Sequence, residues 1–258
     1  MHKFSRTEKL IGSESLAVLA ASKVAVFGVG GVGSFAVEAL ARAGVGCLML
    51  VDFDEVCVTN INRQIPALHS TVGRPKVEVM KERIADINPQ AEVIAIKQFY
   101  SPENWTGFFV TPWDFIVDAV DTVKAKVDLI YRAKQLNIPV ISSMGAGNRL
   151  EPYSLRVADI SETRGCPLAR IVRAELRKLG INSGLPVVFS PDSPLKPSSS
   201  PEPGQEATAN TNAAVQGIKR KVHFPGSISF VPSVAGLLMA AYVVNHLISP
   251  KKEIKQQL

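Results

Sequence analysis

Cysteine is scarce in this chain of 258 residues: Cys47, Cys57 and Cys166 are odd in number, and no two stand in a CxxC pair. That excludes a disulfide framework and a zinc knuckle, and it makes a reducing cytoplasm the default location. Only four histidines occur, and His69 and the others have no evident partner, so they read as structural. The first residues, "MHKFSRTEKLIGSE", place no apolar run behind their basic residues, so no secretory signal is visible. Long apolar stretches are equally rare, the exception being Ser227 to Ser249, "SISFVPSVAGLLMAAYVVNHLIS". About 20 apolar residues can span a bilayer. Pro232 argues against that, because it divides the stretch into a strand, "SISFV", and a helix of about 16 residues whose first turn tolerates the proline. Asn245 and His246 in its last turn suit lipid poorly, so the expectation is a helix buried on a sheet, with no stable membrane insertion.

What is present is a large apolar fraction, 46%, with a net charge of +6. Such a chain buries a real core as one domain over residues 1–258, and its mild basicity would not repel an acidic partner such as RNA. Residues 24–29 and 47–52 are apolar runs flanking a helix-forming segment at 32–43, a βαβ unit. Val77, Met80, Ile84 and Ile87 mark the inner face of a helix from Arg74 to Asn88. "EVIAIKQ", "FIVDAVD" from Phe115 to Asp121 and "PVISSM" from Pro139 read as strands, with a helix from Lys124 to Leu136 between the last two. Strand and helix alternate, which predicts an α/β fold: a Rossmann-like, mostly parallel sheet flanked by helices. After Gly147 a strand at "SLRVADI", a helix from Pro167 to Leu179 and a strand at "LPVVFS" extend that sheet toward the C-terminus. Residues 191–216, with five prolines and little apolar content, predict a flexible Pro/Ser-rich loop within the domain.

Gly28, Gly30 and Gly33 match GxGxxG between a strand and a helix, where backbone N–H groups and the helix dipole hold phosphate oxygens. Gly31 removes further bulk, and Asp52 ends the second strand where an acid accepts from ribose hydroxyls. Up to that point NAD and ATP are equivalent readings, and a bare tight turn is the bland one. The run from Val51 to Lys76 separates them. It contains Asn60, Asn62 and Arg63, then Gly73, Arg74 and Lys76 at a helix start, and such cations suit the concentrated charge of a triphosphate rather than a dinucleotide. Asp121, placed at the end of the fourth strand, would hold Mg²⁺ on the phosphates. Singly, Arg63 or Lys76 could be solvated charge and Asp121 a helix N-cap.

The motifs "GVGGVG", "VDFDEVCVTNINRQ", "VGRPK" and "DAVD" together resemble the ThiF/MoeB-type adenylating enzymes of the ubiquitin-activating-enzyme-like superfamily over about residues 4 to 150. The resemblance implies ATP and Mg²⁺ as cofactors. It implies that Gly31 lies on the phosphate loop, that Asp52 holds the ribose, that Asn60 and Arg63 contact the nucleotide and Lys76 the phosphates, and that Asp121 supports the metal. Asp54 and Asn62, in the same matched run, are counted with the nucleotide contacts. Arg6, in "FSRTEKLIG", matches an arginine that reaches the partner's site in relatives, so a homodimer with shared sites is implied. Within the superfamily, "VCVTNINRQIPAL", "KVEVMKERIADINP", "MGAGN", "CPLARIVRAELRK" and "GSISFVPSVAGL" resemble the tRNA threonylcarbamoyladenosine dehydratase group. That group is understood to activate the threonyl carboxylate of a modified adenosine next to the anticodon, after which the modification cyclises. A tRNA carrying threonylcarbamoyladenosine is then the expected partner, and a sulfur-transfer partner of the cysteine-desulfurase type is admitted. The chain departs from the group at Cys166, where many relatives have an acid before "PLA", and in a longer 191–216 loop.

A superfamily member that passes a protein on as a thioester needs a cysteine nucleophile. Cys47 and Cys57 fall within or beside strands and are expected to be buried and structural, whereas Cys166, before Pro167 at a helix start, keeps a chemical role open. Intramolecular ring closure needs no such nucleophile. For RNA contact the candidates are Arg164, Arg170, Arg173, Arg177 and Lys178 around the 167–179 helix, and Lys219, Arg220, Lys221 and His223 after the loop; solvated helix charge is the competing reading. Two other functions stay in view. One is an adenylyltransferase for the C-terminal Gly-Gly of a small sulfur-carrier protein, weakened by the absent CxxC pairs. The other is a non-catalytic nucleotide module or NAD oxidoreductase, weakened by Arg63, Lys76 and Asp121 together.

Overall fold

The computed structural model describes residues 2–196 and 225–249. Residues 197–216 of the expected loop, and Lys219, Arg220, Lys221 and His223, lie outside the described residues. Seven strands, β1 (Lys23–Phe27), β2 (Cys47–Val51), β3 (Glu92–Ile96), β4 (Phe115–Asp118), β5 (Val140–Ser143), β6 (Arg156–Asp159) and β7 (Pro186–Phe189), form one sheet in the order β3-β2-β1-β4-β5-β7-β6. All pairs are parallel except β6 with β7. β6 and β7 are the expected extension of the sheet. The four strands β2, β1, β4 and β5 are buried almost throughout because both of their faces are covered, and their sequences are accordingly dominated by apolar residues.

Alternate residues of β1 supply two cores. Val24 and Val26 face a layer of α1 (Ser5–Ala21), α2 (Gly33–Ala43), α3 (Lys76–Ile87) and α6 (Phe230–Ile248), where Leu40, Met80 and Met239 are fully buried. Ala25 and Phe27 face α4 (Val123–Gln135) and α5 (Pro167–Lys178), with Leu129 and Val172 between them. The spacing of Val77, Met80 and Ile84 does bury one face of α3. The chain leaves β1 toward β2 on one side and β4 on the other, so the carboxyl ends of β1 and β4 open the crevice where such sheets bind ligands.

Three local expectations are corrected. The strand at "SISFV" is absent: Phe230 and Val231 are already helical, and Pro232 sits in the first turn of a 19-residue α6. Val231, Ala235, Met239 and Val243 recur every four residues on the buried side, and a short apolar run cannot by itself separate strand from buried helix. Cys57 is exposed rather than buried, because the chain after β2 turns into a 3₁₀ turn at Val58–Asn60 on the surface; Cys47 and Cys166 are buried. β4 ends at Asp118, so Asp121 stands in the connection to α4 and is exposed. The structure also adds α1, kinked at Gly12 with a φ of 82°, ahead of the first expected strand.

Candidate functional site

Two glycines make the loop between β1 and α2 sterically. Gly28 has a φ of 86°, and a Cβ there would stand 2.6 Å from the Ala119 carbonyl oxygen; on Gly33 it would stand 1.8 Å from the Gly28 carbonyl oxygen. Backbone therefore approaches backbone across β1 and β4, which only glycine permits. The loop opens α2, leaving N–H groups at a helix N-terminus directed outward for an anion.

Asp52, just past β2, closes the loop from the side. Its Oδ2 accepts from the Val29 N–H at 2.7 Å and its Oδ1 from the Asp54 N–H at 2.9 Å. Burial pushes its carboxyl above the usual carboxylate range, against the nearby Lys76 charge, which pulls it down. Each oxygen keeps a lone pair free to accept from a further hydroxyl.

The cations converge on the same loop. Lys76, at the start of α3, is only 4% exposed, with Nζ 2.7 Å from Asp54 Oδ2. Arg63 runs beside Gly31, its Cγ 3.5 Å from where a Cβ on Gly31 would lie. Its Nη1 donates to the Thr59 carbonyl at 2.9 Å and to Asn62 Oδ1 at 2.8 Å. No carboxylate pairs with it among the described residues, and burial lowers the pKa of its guanidinium. A half-buried, desolvated cation of this kind suits an anion. Next to it, Gln64 Nε2 approaches Gly30 while Gln64 Oε1 is buried without a partner.

The remaining expected residues divide. Asn62 bridges segments, its Nδ2 donating to the Ser227 carbonyl at 3.0 Å ahead of α6. Asn60 Oδ1 accepts from the Cys57 N–H at 3.1 Å and holds the turn that carries Arg63. Asp54 is engaged with Lys76. Asp121, three residues beyond β4, accepts from the Thr122 hydroxyl at 3.3 Å and makes no other side-chain hydrogen bond among the described residues. Arg6 is not brought to the loop: Phe4, two residues before it, packs at Gly44, the far end of α2, about 16 Å from Gly33 by helical rise.

Sequence reasoning missed the charge at the centre of the sheet. Asp118 and Lys126 are both fully buried, with Nζ 2.8 Å from Oδ2. Lys126 also donates to the Ser143 carbonyl at 3.0 Å, the Ser142 hydroxyl donates to Asp118 Oδ2 at 2.5 Å, and Asp118 Oδ1 accepts from the Val120 N–H at 3.2 Å. The network holds the turn that carries Ala119, against which Gly28 packs, and that leads to Asp121. The available signal was a lysine in the apolar stripe of α4, in line with Ile130 and Ala133. Among the described residues no three metal-ligating side chains cluster.

The model of the ThiF family matches residues 4–258. The tRNA threonylcarbamoyladenosine dehydratase of Bacillus subtilis (strain 168) is 50% identical over 248 residues, 96% of this chain and 95% of that protein. The protein of the same name from Escherichia coli (strain K12) is 40% identical over 204 residues, 76% of each chain. A crystal structure of the E. coli enzyme, TcdA, in complex with ATP superposes with a TM-score of 0.83 at 32% identity, covering 95% of this chain and 93% of that one. The fold, the glycine loop and these matches lead to one assignment: the chain belongs to the ThiF family.

Proposed function

We propose that this chain is an ATP-dependent tRNA threonylcarbamoyladenosine dehydratase, which adenylates the threonyl carboxylate of the modified adenosine next to the anticodon and closes it into a ring with loss of water. The observation that carries the reading is the convergence of two desolvated cations, Arg63 and Lys76, on a glycine loop closed by Asp52. A dinucleotide would leave that charge without a use. The relatives named above, one of them crystallised with ATP, support it.

ATP supplies AMP as leaving group for an otherwise unreactive carboxylate. The chain's own residues position and compensate. Asp52 accepts from the ribose, the N–H groups at the start of α2 and the Lys76 ammonium take the phosphate charge, and Arg63 turns from Thr59 and Asn62 onto the phosphates. With no three-ligand cluster among the described residues, Asp121 would be the residue to hold Mg²⁺, which would offset phosphate charge when ATP is bound. Arg6, remote from the loop within one chain, serves the neighbouring site in a homodimer. The ring nucleophile belongs to the substrate, so neither buried Cys166 nor exposed Cys57 is required. No sulfur moves in this reaction, and a cysteine-desulfurase-type partner is an auxiliary to a cytoplasmic enzyme.

The test offers the protein MgATP with either threonylcarbamoylated tRNA or a Gly-Gly-tailed carrier protein, and follows AMP release and nucleoside mass. AMP release with loss of one water from the tRNA nucleoside is expected. AMP release with the carrier alone would replace this reading by the carrier adenylyltransferase.

A further inference from the structure

Resting on the tRNA reading above, we propose that the exposed crest of α5 is the docking surface for the backbone of the substrate tRNA. α5 buries Ala169, Val172 and Leu176 against the sheet. The opposite side presents Arg170 and Arg177, seven residues apart and therefore in line, about 10 Å from each other along the axis. Arg164 precedes the helix and is also exposed.

These arginines differ from those elsewhere in the fold that a carboxylate neutralises. Arg42 and Arg83 both close on Glu38, and Arg132 closes on Asp128. Among the described residues the one ion pair on α5 joins Lys178 to Glu175, at 2.6 Å. Arg173 is spent on structure, donating to the Thr163 carbonyl at 2.7 Å. Arg164, Arg170 and Arg177 have no carboxylate partner among the described residues, so their charge faces water. A line of uncompensated guanidinium groups matches the phosphates of a nucleic-acid strand.

The crest also has the right address. α5 begins at Cys166, whose Sγ lies 3.7 Å from where a Cβ on Gly145 would stand, and Gly145 follows the carboxyl end of β5. Only β4 separates β5 from β1, so at about 4.8 Å per strand the helix starts roughly 10 Å along the sheet edge from the glycine loop. Arg164 stands on the edge where the reacting carboxylate must enter, and Arg170 and Arg177 lead away from it, as the backbone flanking a delivered nucleoside would.

The experiment measures binding of threonylcarbamoylated tRNA across a salt series, ATP affinity and tRNA turnover for the wild type, for Arg170→Glu, and for Arg170→Glu with Arg177→Glu. Lys81→Glu, at an exposed position on α3, is the control whose charge change equals that of Arg170→Glu. The double variant is expected to lose about tenfold or more in tRNA affinity and about two from the salt slope, with ATP affinity and the melting transition unchanged. Lys81→Glu is expected to bind as wild type does. Wild-type tRNA affinity and turnover in the double variant would overturn the surface and leave the function standing. A wild type that neither binds nor dehydrates the tRNA would overturn both.

Discussion

Replacing Lys76 by alanine probes the site most sharply. The ammonium is buried, faces Asp54 at 2.7 Å and lies close enough to Asp52 to act on its carboxyl. A fixed cation on developing phosphate charge is worth about 3–4 kcal/mol, so Lys76→Ala should lower the single-turnover rate of AMP release by about 10² to 10³. Stability should change far less. The Asp54 side chain is 42% exposed and rehydrates once its partner is gone, so the lost pair costs about 1 kcal/mol or less. Quench-flow measurement of AMP from bound ATP and modified tRNA, alongside a thermal melt, separates rate from folding. Turnover within about threefold of wild type, in a variant that melts normally, would show that Lys76 is only a structural partner of Asp54 and that the phosphate charge is met elsewhere.

Other outcomes follow from the same geometry. Asp52 must be ionised to accept from the ribose, and its carboxyl is raised above a free aspartate. ATP affinity should therefore fall on acidification at a pH higher than the usual carboxylate range, and Asp52→Asn should bind weakly with that pH dependence removed. The sign for stability is opposite to that of a paired surface aspartate: the native state holds this proton more tightly, so Asp52 costs stability as pH rises from the unfolded value through the folded one. Lys126→Ala leaves the fully buried Asp118 carboxylate uncompensated, which should cost about 3–5 kcal/mol and lower the melting temperature by about 10 °C; an unchanged melt would mean the pair is idle. Cys57, exposed and with its thiol lowered chiefly by the Thr59 hydroxyl, should be alkylated before Cys47 and Cys166, while Cys57→Ser and Cys166→Ser retain turnover, since ring closure uses no protein nucleophile.

The legible part of the fold was the part set locally. Glycine spacing before a helical run, with an acid at the next strand end, defines β1–α2–β2 wherever it occurs, and Val77, Met80 and Ile84 announce the buried face of α3. Arg63 and Lys76 stand out in the sequence because they follow the acid at the strand end, and the structure brings Arg63 beside Gly31 and Lys76 near Asp52. What stayed hidden depends on tertiary partners. Asp118 and Lys126 are ordinary charges until β4 and α4 bring them together. Asp121 was displaced from the strand end because β4 stops where Asp118 turns inward to meet Lys126. The start of α6 is read as a strand because three apolar residues just before a proline, Ile228, Phe230 and Val231, fit two periods, and the fold offers that segment a helix partner, α2, rather than a free strand edge. Arg6 belongs to a different class, since its proposed role lies in a second copy of the chain.

The central claim is that the threonyl carboxylate attacks the α-phosphate of ATP with release of pyrophosphate, and that a nucleophile within the same threonylcarbamoyl group then attacks the activated carboxyl carbon with release of AMP. Its most direct test labels both carboxylate oxygens of the threonylcarbamoyl group with ¹⁸O and weighs the products. One labelled oxygen is expected in AMP and one in the cyclised nucleoside, with pyrophosphate unlabelled; AMP without label, or ADP in its place, would contradict the account.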